Sequence, residues 1–215
     1  MTKPDIILLH GVLMNTVEML YLARQLEKLG HTVHNLGYSS VSQSIAENTQ
    51  ALRAKIQALG CNEINIVAHS LGGIMALHVL QDCPDLKVKR VVMLGSPITG
   101  SYVASRFTHW PVVKQLLDKS MKQGLDGDHK ITEVACEIGM IAGRIDSPIG
   151  MGLLLGKLPG DNDGTVLLEE TQHSCVKEHI TVNKSHTGLI FSKVVAQLID
   201  VFLQNGHFQS DISRP

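Results

Sequence analysis

Short apolar runs recur along the chain at Ile6–Leu9, Thr32–Leu36, Ile64–Ala68, Val88–Leu94 and Ile138–Ala142, with a weaker one over Val176–Val182. Runs of this length, rich in β-branched residues, predict buried strands. Between them the apolar positions fall three or four apart, as in Met19, Leu22, Leu26 and Leu29. The same spacing recurs through Ile45, Leu52, Ile56 and Leu59, through Ile74, Leu77 and Leu80, and through Ile190, Val194, Leu198 and Val201. That period predicts helices with one apolar face. Asn15 with Glu18 and Ser44 with Glu47 offer N-terminal caps, and Gly30, Gly60 and Gly206 offer stops. Strand and helix therefore alternate. Parallel neighbours need crossover connections, so the order implies an α/β fold: a mostly parallel sheet of about six strands with helices on both faces.

Two stretches break the alternation. The segment at about 97–135 holds Phe107, Trp110, Val112, Val113, Leu116 and Leu117 but no strand pattern, and is expected to be a small helical cap inserted into the domain. Asp146 to Gly164 (DSPIGMGLLLGKLPGDNDG) reads as a long loop with room for one short helix. With 215 residues the chain fits a single domain spanning 1–215, because ~100–200 residues is the usual allotment and α/β domains often exceed it.

Composition narrows the partners. Nineteen Lys and Arg stand against twenty Asp and Glu, so the chain has no basic field for nucleic acid or anionic lipid. The apolar run at the start is too short for a signal-peptide core or a membrane span, and the expected location is the cytoplasm. Four scattered cysteines without paired spacing suggest neither a disulfide framework nor a zinc finger. A small-molecule partner is the remaining expectation.

Candidate chemistry begins at INIVAHSLGG, residues 64–73, where a buried strand stops at a serine and a helix follows. A nucleophile at so tight a strand-to-helix elbow needs small residues two positions away on each side, and Ala68 and Gly72 meet that demand. A plainer reading makes Ser70 an N-cap and Gly72 and Gly73 packing residues. The helix N-terminus offers the Leu71 N–H to a developing oxyanion. The first strand also ends in polar His10 and Gly11. If it neighbours the third strand, the Val12 N–H faces the same point, completing an oxyanion hole, with His10 and Gly11 beside the substrate.

A serine needs a base, and the base an orienting acid. Among eleven histidines, His186 stands out in NKSHTGLIF, between the last strand and the last helix, at the functional edge. His69 adjoins the serine but is expected to point away. Asp163 in PGDNDGTV lies between serine and histidine in chain order, with Asp146 and Asp161 as rivals. His173, Cys175 and His179 would share one face of an extended segment, yet they lack a fourth ligand. No metal and no cofactor are expected. Trp110 and its apolar neighbours either line an acyl pocket or form the cap's own core.

These segments resemble the α/β-hydrolase superfamily, in particular small bacterial lipases and esterases with an Ala-His-Ser-Leu-Gly nucleophile elbow. IILLHGV resembles the first core strand with its oxyanion turn, IVAHSLGG the elbow, and LGSPITGSYVA the segment leading into the lid. DNDGTV and HTGLI resemble the acid turn and histidine loop. The resemblance runs almost end to end and implies a three-layer fold reduced to six strands. It also implies a Ser70, Asp163 and His186 triad, oxyanion donors at Val12 and Leu71, and a serine esterase or lipase acting on an ester with an apolar acyl group. An acyltransferase or thioesterase on the same residues, or a non-catalytic binding protein on the same fold, would be alternatives.

Overall fold

A computed structural model describes residues 3–107, 118–128, 134–146 and 158–208. Six strands form one sheet: β1 (Asp5–Leu9), β2 (Val33–Leu36), β3 (Ile64–His69), β4 (Val88–Leu94), β5 (Glu137–Gly143) and β6 (Glu178–Val182). Their order is β2-β1-β3-β4-β5-β6 and every pairing is parallel. The central strand β3 is buried along its whole length, because helices cover both of its faces. β1 pairs with β3 in the register Leu9↔Ala68, so the two chains leave the sheet side by side.

Helices α1 (Leu20–Lys28), α2 (Ile45–Ala58), α3 (Leu71–Asp82), α4 (Tyr102–Phe107) and α5 (Lys193–Asn205) complete the layers. One core packs α2 and α3 against Ile7, Leu9, Ile66 and Met93. The other packs α1 and α5 against Ile6, Leu8, Val67 and Val92. Alternate residues of the same strands thus serve opposite layers, as a pleated sheet requires.

The helix ends follow their local chemistry with two departures. Ser44 and Glu47 form a reciprocal capping box on α2, and Gly30, Gly60 and Gly206 all take positive φ. Asn15 and Glu18 do bond the backbone, but in a turn before α1, whose N-cap is Met19. The apolar face of α5 is also not the one the spacing suggests. Val195, Leu198, Ile199 and Phe202 are buried, whereas Val194 is 43% exposed. Ile190 belongs to a separate turn, and the helix starts afresh at its Ser192 cap, which rotates the face.

The described parts of the expected cap are helical at α4 and in a π-type turn at Met121–Leu125. The two parts meet where Ser101 N–H donates to the Leu125 carbonyl (2.8 Å). A side chain on Gly127 would stand 2.6 Å from the Thr99 carbonyl oxygen and 3.0 Å from Gly100 Cα, so the two backbones cross in contact. Trp110 lies outside the described residues, as does most of the loop from 146 to 164. No helix among the described residues is long and apolar enough to cross a membrane.

Candidate active site

Ser70 follows β3 directly and precedes the first residue of α3, with φ 55° and ψ −125°. Its side chain makes no capping bond to the helix, so the plain N-cap reading fails. The turn is pinned by the Ser70 N–H, which donates to the Leu94 carbonyl on β4 (2.9 Å). Close packing explains the glycines. A Cβ on Gly72 would stand 2.7 Å from the His10 carbonyl oxygen and 2.8 Å from that of Leu9, and one on Gly73 would collide with Ser96. The elbow can sit against β1 only because position 72 carries no side chain.

The end of β1 meets this elbow. A Cβ on Gly11 would reach Ser70 Cβ at 3.0 Å and His69 Nδ1 at 3.2 Å. Val12 and Leu13 turn away next, and Leu13 also has positive φ, 57°. Among the described residues, Leu13 and Ser70 are the two non-glycine residues in that region, and both flank this spot. Leu71 opens α3, so its N–H has no partner within the helix. His10 is not a wall of the cleft, contrary to the sequence reading. Its ring is buried and stacked on Tyr38 at 4.3 Å, its Nδ1–H donates to the Gly11 carbonyl (2.8 Å), and its Nε2 accepts from the Tyr38 N–H (3.3 Å). Burial lowers its pKa, which keeps it neutral, and its role is to hold the turn in shape.

His186 and Asp163 lie far apart in sequence yet pair directly: His186 Nδ1–H donates to Asp163 Oδ2 at 2.7 Å. The other carboxylate oxygen accepts from the backbone N–H groups of Thr165 (3.0 Å) and Val166 (2.7 Å). The His186 N–H in turn donates to the Asp163 carbonyl (2.9 Å), locking the histidine loop to the acid turn. Asp163 is buried. Its rivals face elsewhere: Asp146 is exposed, and Asp161 pairs with Arg144.

Around the pair, the sequence reading misplaces one residue and misses two. His69 does not point away. It lies beside His186, ring centroids 4.6 Å apart, and its Nε2–H donates to the His186 carbonyl (3.0 Å). Burial first, and the neighbouring His186 second, depress its pKa well below the ordinary value, so it stays neutral. Gly95 ends β4 with φ 54°, where a Cβ would stand 3.0 Å from Asp163 Oδ2 and 3.2 Å from His186 Nδ1. A glycine at a strand end is a visible signal; which loop packs on it is not. Glu170 is buried behind the acid turn, accepts from the Leu167 N–H (2.8 Å) and from the Tyr102 N–H, and so ties α4 to that turn.

The arrangement suits nucleophilic catalysis: an oriented imidazole, a strained hydroxyl-bearing elbow and backbone donors at the carboxyl ends of β1 and β3. His173, Cys175 and His179 do not converge; His179 Nε2 contacts Thr171 Oγ1 (2.7 Å), and His173 Nδ1 accepts from the Cys175 N–H (3.1 Å). Among the described residues one other group, Asp5, His34 and Cys61, gathers metal-ligating atoms.

Comparison with known proteins gives a consistent picture. A family model described as alpha/beta hydrolase fold matches residues 4–128. The chain is similar to the lipase BlEst2 of Bacillus licheniformis in its mature form at 19% identity, covering 94% of this chain and 91% of that one, with a TM-score of 0.69. It is similar to the metagenomic carboxyl esterase MGS0156 at 16% identity, covering 96% and 77%, with a TM-score of 0.64. The pyrethroid hydrolase PytH matches at 15% identity, covering 94% and 98%, with a TM-score of 0.63. At these identities the likeness is one of fold.

Proposed function

The chain belongs to the alpha/beta hydrolase fold family, and from that premise we propose that it is a serine hydrolase cleaving carboxylic esters through an acyl-enzyme on Ser70. The observation that carries this reading is the buried Asp163–His186 hydrogen bond, joined through His69, whose ring lies 4.6 Å from that of His186, to the next residue along the chain, a serine held in a strained elbow. In the proposed sequence, His186 Nε2 takes the Ser70 hydroxyl proton as Oγ attacks the ester carbonyl. The Val12 and Leu71 N–H groups stabilise the oxyanion. The imidazolium then gives its proton to the leaving alcohol, and a water activated by the same base releases the acid. Asp163 keeps the Nδ1–H tautomer and stabilises the imidazolium.

The substrate is a small ester with an apolar acyl group, and the inserted cap at about 97–135 is the element that would face it. Phe107, at its described edge, is apolar and buried. The four cysteines are unpaired in the structure, which fits the reducing environment of the cytoplasm. Fluorophosphonate labelling provides the test. Wild-type protein should take one label at residue 70, and Ser70→Ala should take none and lose about 10⁴–10⁶ in turnover on p-nitrophenyl esters. An unlabelled wild type would defeat the reading. A panel from acetate to palmitate would then place the acyl preference.

A further inference from the structure

At the opposite end of the sheet from Ser70, three chemically different side chains converge. Asp5 opens β1, His34 is the second residue of β2, and Cys61 lies in the connection between α2 and β3, directly after the Gly60 stop. His34 Nε2–H donates to Asp5 Oδ2 at 2.8 Å, and the Cys61 S–H donates to the same oxygen at 3.2 Å. The carboxylate oxygen, imidazole nitrogen and thiol sulfur all lie within 4.8 Å of one another. β1 is five residues long, which puts this cluster roughly 15 Å from the elbow at ~3.3 Å per residue.

We infer that Asp5, His34 and Cys61 form a binding site for a divalent transition metal ion of the zinc class, separate from the catalytic residues. One oxygen, one nitrogen and one sulfur are the donor set that a borderline-soft ion accepts, whereas calcium and magnesium take oxygen alone. The spacing is close to what is required. Zinc bond lengths of about 2.0–2.3 Å in tetrahedral geometry separate ligand atoms by about 3.3–3.8 Å, so the two contacts to Asp5 need to open by well under 1 Å while His34 Nε2 and Cys61 Sγ, within 4.8 Å of each other, close to the same range. The side chains can do this, because Asp5 and His34 are only partly buried, at 28% and 25% exposed, and Cys61 sits in a loop. An entry path is present as well. Asp5 and His34 are both partly open to solvent, and Cys61 borders an open cleft of about 350 Å³ together with Asn62, Asp85 and Lys87.

On binding, the thiol proton leaves to solvent, the imidazole shifts to its Nδ1–H tautomer, and the three lone pairs replace the two hydrogen bonds. The ion would fasten the edge strand β2 to β1 and to the start of β3. It would act on stability and leave the ester chemistry alone.

Metal-free full-length protein titrated with Co²⁺ should show, at one equivalent, the charge-transfer absorption of a thiolate–cobalt bond, displaced by Zn²⁺. Zn²⁺ should raise the melting temperature and protect Cys61 of the wild type from alkylation, as read by mass spectrometry. Cys61→Ser should abolish the absorption, and both Cys61→Ser and His34→Ala should weaken Zn²⁺ binding by about 100-fold or more, with unchanged circular dichroism. No thiolate absorption in the wild type, an absorption that survives Cys61→Ser, or alkylation of Cys61 at the same rate with and without Zn²⁺ would each overturn the site.

Discussion

A single hydrogen bond decides which aspartate matters. Asp163 meets His186 at 2.7 Å with its second oxygen already held by two backbone donors, so its carboxylate has one orientation and one partner. Asp163→Asn keeps the shape but presents an N–H or a neutral oxygen to Nδ1, and on the proposed mechanism turnover should fall about 10⁴-fold, as it does when a triad loses its acid. Asp146→Asn changes an exposed side chain and should leave turnover within about twofold. If steady-state kinetics on an activated ester gave the opposite ranking, the acid would be misassigned. His69 carries a related lesson. Its ring supports the backbone of His186 from the residue next to the serine, so the proposed nucleophile and base share one scaffold. Nothing in the local pattern around His69 reveals this, because the contact joins residues more than a hundred positions apart.

The strand-to-helix elbow is the element on which the site turns, and Gly72 is its tightest point. Alanine there gains up to about 1 kcal/mol of helix propensity. Against this, the new Cβ meets two main-chain carbonyl oxygens at 2.7 and 2.8 Å on a strand held from both sides, and overpacking of that kind costs about 1–3 kcal/mol. Gly72→Ala should therefore lower the urea midpoint and, by pushing the β1 turn, lower kcat as well; a raised midpoint would show that the turn yields. Most elements are legible in the sequence, because each strand run is bounded by turn residues and α1, α2 and α5 each stop just before a glycine. All six strands lie where the apolar runs predict, to within one or two residues at each end. The failures have physical causes. The spacing gives the wrong face for α5 because a separate turn at Thr187–Leu189 precedes the helix and resets its phase. His10 looked like a cleft residue from its place at a strand end, but tertiary stacking on Tyr38 turned it inward.

Across the whole molecule, Glu170 couples acid turn, α4 and pH. Burial raises its pKa from 4.5 to about 7, so the folded state binds its proton where the unfolded chain has lost it. Stability from this group is fully present below about pH 4.5 and drains away as pH rises through about 7. Between pH 5 and 8 the loss should be about 2–3 kcal/mol relative to Glu170→Gln. Buried neutral histidines such as His10, His31 and His69 pull the other way below about pH 6.5, so the contrast between wild type and variant isolates the carboxyl. Parallel urea titrations at the two pH values check this, and equal pH dependence in both proteins would remove Glu170 from the account. The crossing of Gly100 and Gly127 has a consequence of another kind. A segment whose two ends share a doorstep can be lengthened with little thermodynamic effect, because closing a loop grows harder only as the logarithm of its length. The anchored ends are another matter: Val103, Ala104, Phe107 and Leu125 are buried in the main core and Tyr102 is tied to Glu170, so new length belongs between them and not in place of them.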